Sequence, residues 1–174
     1  MKKYKRIILC GPAAAGKDWS REYLEQLGYI YATSYTSRPK RPGEVDGEDY
    51  HFLTNEEFAD MIDDGLFYEY IRFGAFYYGT TNVQMKECSL FIMTPGGISL
   101  LKPEDRTESL VVYLNPHTDI RRARLTERND DISKSQKRID LDKIEFDNFT
   151  DFDVEFTNPE TMRDDFDKLN NDNI

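Results

Sequence analysis

The sequence predicts an α/β fold, a parallel sheet core flanked by helices, and three observations carry that prediction. Short continuous apolar runs at 7–10, 89–93 and 110–114 have the composition of strands buried on both faces. Segments with apolar residues at helical spacing separate strand-like runs. A glycine-rich turn, Gly11-Pro12-Ala13-Ala14-Ala15-Gly16-Lys17-Asp18, joins the first run to the first helical segment. At 174 residues, 39% hydrophobic and 13% aromatic, the chain suits one compact domain with a substantial core.

Taken in order, residues 6–10 form the first strand. Residues 19–27 form the first helix, with Tyr23, Leu24 and Leu27 at helical spacing and Gly28 ending it. Residues 29–33 read as a short strand. The stretch 34–50, rich in proline, glycine and charge, reads as loop with strand pieces. Thr54 and Glu57 make a capping box; Phe58, Met61 and Ile62 follow as a helical stripe, and Gly65 ends it. Residues 66–72 and 75–78 are extended. After the strand at 89–93, Pro95-Gly96-Gly97 turns the chain. Residues 118–129 form a strongly basic helix, followed by a polar stretch, 130–142, with Arg138 near its centre. The last strand is 154–156. Asn158 as cap and Pro159 in the first turn start a final helix, with Met162, Phe166 and Leu169 as its buried stripe. The tail 170–174 is expected to fray.

A formal net charge of -10 argues against a general nucleic-acid surface, which needs a basic face. A phosphorylated ligand must then be held by local clusters, and two exist: Arg38-Lys40-Arg41 and Arg121-Arg122-Arg124-Arg128. Cys10 and Cys88 sit in apolar runs and read as buried free thiols rather than a disulfide or metal pair. Residues 1–6 are charged and the apolar run after them is short, so neither a signal peptide nor a membrane span is expected. The expectation is a cytoplasmic protein, a monomer or weak homodimer, with no nucleic-acid or membrane partner.

The glycine-rich turn carries the clearest chemistry. Backbone N–H groups from Gly11 to Gly16 can cradle a polyphosphate, and Lys17 can reach its β- and γ-phosphates. The residue after that lysine is normally Ser or Thr, whose hydroxyl binds Mg²⁺. Asp18 stands there instead; a carboxylate is also a hard oxygen ligand, and it suits the first turn of a helix.

Residues 34–52 carry Ser34, Arg38, Arg41, Gly43, Glu44, Gly47, Asp49, Tyr50 and Phe52. They resemble guanylate kinases, whose pattern there is a Ser/Thr run followed by R-x-x-R-x-G-E-x-x-G-x-D-Y-x-F. Phe67-Tyr68-Glu69-Tyr70 and then Tyr77-Tyr78-Gly79-Thr80 continue the resemblance in family order. It covers nearly the whole chain, more weakly between 83 and 114. The resemblance implies a P-loop NTPase-type core (1–33, 84–117, 148–174), an inserted nucleoside-monophosphate-binding domain (34–83) and a lid (118–147). It also implies transfer of the ATP γ-phosphoryl group to GMP or dGMP, with Mg²⁺, and ATP on the loop from Gly11 to Asp18.

At the acceptor, the resemblance assigns the phosphate to Arg38, Arg41, Tyr50 and Tyr78, and their forked and hydroxyl donors suit a dianion. Glu69 is the counterpart of the family's guanine reader. Guanine presents N1–H and an amine as adjacent donors to that acceptor-only carboxylate, whereas adenine would turn an acceptor toward it. Ser34 and Thr80 match donors to O6, with Gly79 beside them. Lys17, Arg38 and the lid residues Arg124, Arg128 and Arg138 are the implied stabilisers of the transferring group. Asn158 matches an adenine contact and equally explains itself as a helix cap.

One segment departs from the family. Its strand end carries aspartates before a glycine; Ile92-Met93-Thr94-Pro95-Gly96-Gly97 has no carboxylate. Thr94 is the expected substitute at the base and Asp18 the expected substitute at the metal. Two other readings stay open: a kinase for a modified guanine nucleotide or another phosphorylated acceptor, and a non-catalytic guanylate-kinase-like binding module. Intact Gly11, Gly16 and Lys17 count against the module; Glu69 and Thr80 favour a purine base.

Overall fold

A computed structural model of the chain describes residues 4–127 and 132–171. Its central sheet contains β1 (Arg6–Cys10), β6 (Leu90–Ile92), β7 (Ser109–Leu114) and β8 (Val154–Phe156) in the order β6-β1-β7-β8. Every pairing in it is parallel. Side chains alternate across β1, which explains its unbroken apolar run. Ile7 and Leu9 pack with Leu24, Phe156, Met162 and Phe166 on one face; Ile8 and Cys10 pack with Phe91, Met93 and Ile98 on the other. The first face is covered by α1 (Lys17–Gln26) and α8 (Met162–Asn171).

A second sheet, in the order β3-β2-β5-β4, contains β2 (Tyr35–Thr36), β3 (His51–Phe52), β4 (Phe67–Phe73) and β5 (Phe76–Thr81). Helix α2 (Asn55–Asp63) starts at the expected capping box, with Thr54 accepting from the Glu57 N–H and Glu57 from the Thr54 N–H. Phe58 on α2 is fully buried and stacks on Phe67 and Tyr77, 4.3 and 5.3 Å between centroids, which seats the helix on this sheet. The remaining helices are α3 (Asn82–Glu87), α4 (Pro95–Ser99), α5 (Pro103–Thr107), α6 (Thr118–Glu127) and α7 (Ile132–Phe146).

Three expectations need correction. Residues 29–33 make an isolated parallel bridge at Tyr31, not a strand; the pairing with Leu90 ends as the chain leaves for the second sheet. Pro95-Gly96-Gly97 opens α4 instead of turning the chain, because the Thr94 hydroxyl accepts from the Gly97 N–H and Pro95 fits a first helical turn. The last helix begins at Met162 and not at Asn158-Pro159. The Asn158 side chain accepts from the Glu160 N–H and makes a local turn first. Within the polar stretch, residues 132–142 belong to a fifteen-residue helix, α7. Cys10 and Cys88 are free as expected, but Cys88 is only half-buried. No helix among the described residues is long and apolar enough to cross a membrane. Residues 172–174 of the tail lie outside the described residues.

Candidate active site

The loop between β1 and α1 has the geometry of an anion-binding turn. Gly16, the residue preceding α1, sits at φ 106, a conformation open to glycine and strained for other residues. Ala14 lies at φ 59, the only non-glycine residue with positive φ among the described residues. Strain of this kind concentrates at functional sites. The Lys17 ammonium donates to the carbonyls of Gly11 and Pro12 at 2.6 and 2.9 Å. Burial pushes its pKa below the ordinary lysine value, while Asp18 beside it pulls the other way. Cys10, just before the loop, is buried, which pushes its thiol up to about 12; it is chemically inert at neutral pH.

Across the cleft, the second sheet presents the expected acceptor groups. Arg38 is 9% exposed, and its two terminal nitrogens donate to Glu44 at 2.9 and 2.8 Å. Glu44 also accepts the Arg41 main-chain N–H at 2.7 Å, so one carboxylate holds the Arg38 guanidinium and the backbone at Arg41. The Arg38 guanidinium lies over the rings of Tyr50 and Phe52, and Tyr50 meets Tyr78 edge-on. Burial raises the Tyr50 hydroxyl, which keeps it a donor.

Glu69 is paired with Thr80 across β4 and β5 and is 7% exposed. Burial lifts its carboxyl above the ordinary range, and hydrogen bonds from Thr80 pull the other way. Helix α4 comes so close that a Cβ on Gly97 would lie 3.2 Å from Glu69 Oε2. Thr94 caps that helix and also lines the cleft.

Helices α6 and α7 approach the loop from a third side. Arg124 donates to the Ala14 carbonyl at 3.0 Å and Arg121 to the Ala13 carbonyl at 2.9 Å. Arg138 Nε lies 3.1 Å from Asp142 Oδ1, and its guanidinium sits over Phe73. Arg128 lies outside the described residues.

One cleft of about 720 Å³ joins these groups, a size that suits small-molecule ligands. From the loop, Gly11, Ala13, Ala14, Lys17 and Asp18 line it. From the acceptor set, Ser34, Arg38, Arg41, Tyr50, Glu69, Tyr78, Gly79 and Thr94 line it, and Arg138 completes it from α7. Pro12, Ala15, Gly16, Thr80 and Arg124 stand outside the lining. Among the described residues no cluster of three or more His, Cys, Asp or Glu offers a ready metal cage.

Sequence reasoning passed over Asp142 and gave Glu44 no role; Arg121, expected in a phosphate-holding cluster, is instead buried and paired with Asp142 and the Ala13 carbonyl. Asp142 follows Arg138 by four residues, a helical ion-pair spacing that was available as a signal.

The family model for guanylate kinase matches residues 3–171 of this chain. Guanylate kinase from Aster yellows witches'-broom phytoplasma is 44% identical over 89 residues, 49% of this chain and 42% of that protein. Guanylate kinase from Syntrophus aciditrophicus is 33% identical over 142 residues, 77% of this chain and 69% of that protein. The chain thus spans less than half the length of the phytoplasma relative and about two thirds of the Syntrophus one. The crystal structure of guanylate kinase from Anaplasma phagocytophilum has the same fold, at a TM-score of 0.75 and 17% identity, covering 100% of this chain and 88% of that one.

Proposed function

This chain belongs to the guanylate kinase family, and from that premise we propose that it transfers the γ-phosphoryl group of ATP to GMP or dGMP. The observation that carries the reading is the cleft itself. A strained phosphate loop with Lys17 faces a buried Glu69 carboxylate and the Arg38–Arg41 pair across one cavity. Division into a core, an acceptor-binding part at 34–83 and a lid at 118–147 is supported by the second sheet, which lies wholly within 35–81, and by α6 and α7.

In this reading the loop amides and Lys17 hold the donor phosphates. The N–H groups of Arg38 left free by Glu44, together with Arg41, Tyr50 and Tyr78, seat the acceptor phosphate. Glu69 accepts from the two adjacent donors of guanine, Ser34 and Thr94 line the same cleft to complete base selection, and Thr80 acts through its hydrogen bonds to Glu69. Arg124 and Arg138 bring cationic charge from α6 and α7 to the transferring group, where positioning and charge dominate the rate. No strong base is needed, because the acceptor phosphate is already an anion. The donor set fits Mg²⁺ as an ion carried mainly by nucleotide phosphates, with Asp18 the carboxylate that lines the cleft beside Lys17. When bound it neutralises charge on the donor phosphates.

A coupled ADP-release assay across all nucleoside and deoxynucleoside monophosphates tests the reading. Turnover with GMP and dGMP far above AMP, CMP and UMP is expected. Silence with both guanine nucleotides and turnover with another acceptor overturns the substrate assignment. No ADP release with any acceptor, combined with no ATP binding, returns the chain to the binding-module reading.

A further inference from the structure

Ala13, in the phosphate loop, is held from both sides. Its N–H donates to Asp142 Oδ2 at 3.0 Å, and its carbonyl accepts from Arg121 Nε at 2.9 Å. Asp142 and Arg121 are joined in turn through Oδ2 and Nη2. The second carboxylate oxygen lies 3.1 Å from Arg138 Nε. Loop, α6 and α7 therefore meet at one carboxylate that is 1% exposed. A charge buried this deeply persists only when paired and hydrogen-bonded.

The placement of these groups separates two roles. Ala13 and Arg138 line the cleft, whereas Asp142 and Arg121 stand behind that wall. A group behind the wall acts on a ligand only through the residues it orients. We propose that Asp142 is a positioning residue for phosphoryl transfer: held in place by Ala13 and Arg121, it aims the guanidinium of Arg138 across the loop at the donor phosphates. The proposal rests on the phosphotransfer reading above. The chemistry follows from geometry. Oδ2 and Arg121 clamp the loop at Ala13, and Oδ1, which has no hydrogen-bond partner among the described residues, pairs with Arg138 Nε by charge alone, leaving guanidinium N–H groups for an anion.

The test is a double-substitution cycle on the full chain, read by steady-state kinetics with ATP and GMP. Asp142→Asn keeps the size and an acceptor oxygen for the Ala13 N–H but removes the charge that orients Arg138. Its kcat is expected to fall about 10- to 100-fold, the scale of a misplaced catalytic group. Calorimetric GMP affinity stays within about 2-fold of wild type, because Asp142 does not line the cleft and makes no described hydrogen bond or ion pair with the acceptor groups. In an Arg138→Ala background the same change costs less than about 3-fold, since the group it orients is gone. Unchanged kcat in Asp142→Asn, or equal losses in both backgrounds, overturns the proposal.

Should Asp142→Asn fail to melt cooperatively, Asp142→Glu takes its place. It keeps the charge and shifts it by one methylene, so kcat falls with the charge intact; wild-type kcat overturns the proposal. If the unmodified protein transfers nothing to GMP, the premise fails by itself. The cycle is then read in calorimetric ADP affinity, where a loss that disappears with Arg138 supports the positioning role and an additive loss overturns it.

Discussion

Glu69 shows how one side chain can set both selectivity and pH response. Burial favours its neutral acid, so the carboxyl titrates above its usual 4.5 in the free protein. Guanine's adjacent donors favour the carboxylate. Base binding therefore expels a proton, and GMP affinity weakens as pH falls through that raised pKa while holding above it. Calorimetric titrations at pH 7 and pH 5.5 check this against Glu69→Gln, which shares the titration of the ligand phosphate but not of Glu69. At pH 7 the glutamine variant is expected to bind GMP about 10- to 100-fold more weakly, the value of a charge-assisted bond. Its pH dependence should be flatter than wild type; equal slopes would remove Glu69 from base recognition. Stability moves the opposite way. A folded pKa raised above the unfolded one favours folding in acid and costs stability once pH passes the unfolded value. Glu69→Gln should thus melt higher than wild type at pH 7, with the difference shrinking toward pH 4.

At the scale of elements, legibility followed the strength of the local signal. The strands of the central sheet were readable because each run is apolar on both faces, and α2 because Thr54 and Glu57 write its start. Helix α3 carried the same signature at Thr81 and Gln84 and was missed, since it begins directly at the end of a strand with no intervening turn. Helix α7 was obscured by charge: its buried contacts fall at Ile139, Asp142 and Phe146, and one of the three is a carboxylate held by partners distant in sequence. The site residues came from motif letters, whereas the ties between them, Glu44 to Arg38 and Asp142 to Ala13, are tertiary facts. Helix α4 is the sharpest case, because a Pro-Gly-Gly that reads as a turn instead brings Gly97 against Glu69. The close approach predicts that Gly97→Ala pushes the carboxylate by a few tenths of an ångström, from the 3.2 Å contact its Cβ would make. GMP KM should rise several-fold, roughly 1 kcal/mol of misaligned hydrogen bonding, with ATP KM unchanged. Thr94→Ala should instead lower stability by about 1 kcal/mol through the lost cap, read as a shift in the urea midpoint.

Over the whole molecule, the two sheets divide the labour. The phosphate loop leaves the parallel sheet at β1, while the arginine pair and Glu69 are carried by the other sheet and its loop, and the cleft runs between them. Net charge is -10, so each anionic ligand is captured by local cations against the average field. Two ligands with the same sign of charge can share the cleft only if each has its own set of those cations, and this makes stabilisation by ligands a test of the layout. A ligand at about 100 times its Kd stabilises the folded state by about 2.7 kcal/mol. For a chain of this size that raises the melting temperature by about 5 to 10 °C. GMP alone and ADP alone should each give such a shift, and together they should give at least the sum, because neither occupies the other's cations. A combined shift no larger than the greater of the two would mean mutual displacement from one anion site. Arg41→Ala sharpens the outcome: the GMP shift should shrink while the ADP shift stays, since the Arg41 side chain lines the cleft on the acceptor side and makes no contact with the loop among the described hydrogen bonds and ion pairs. Loss of both shifts together would place the two ligands on a single set of charges.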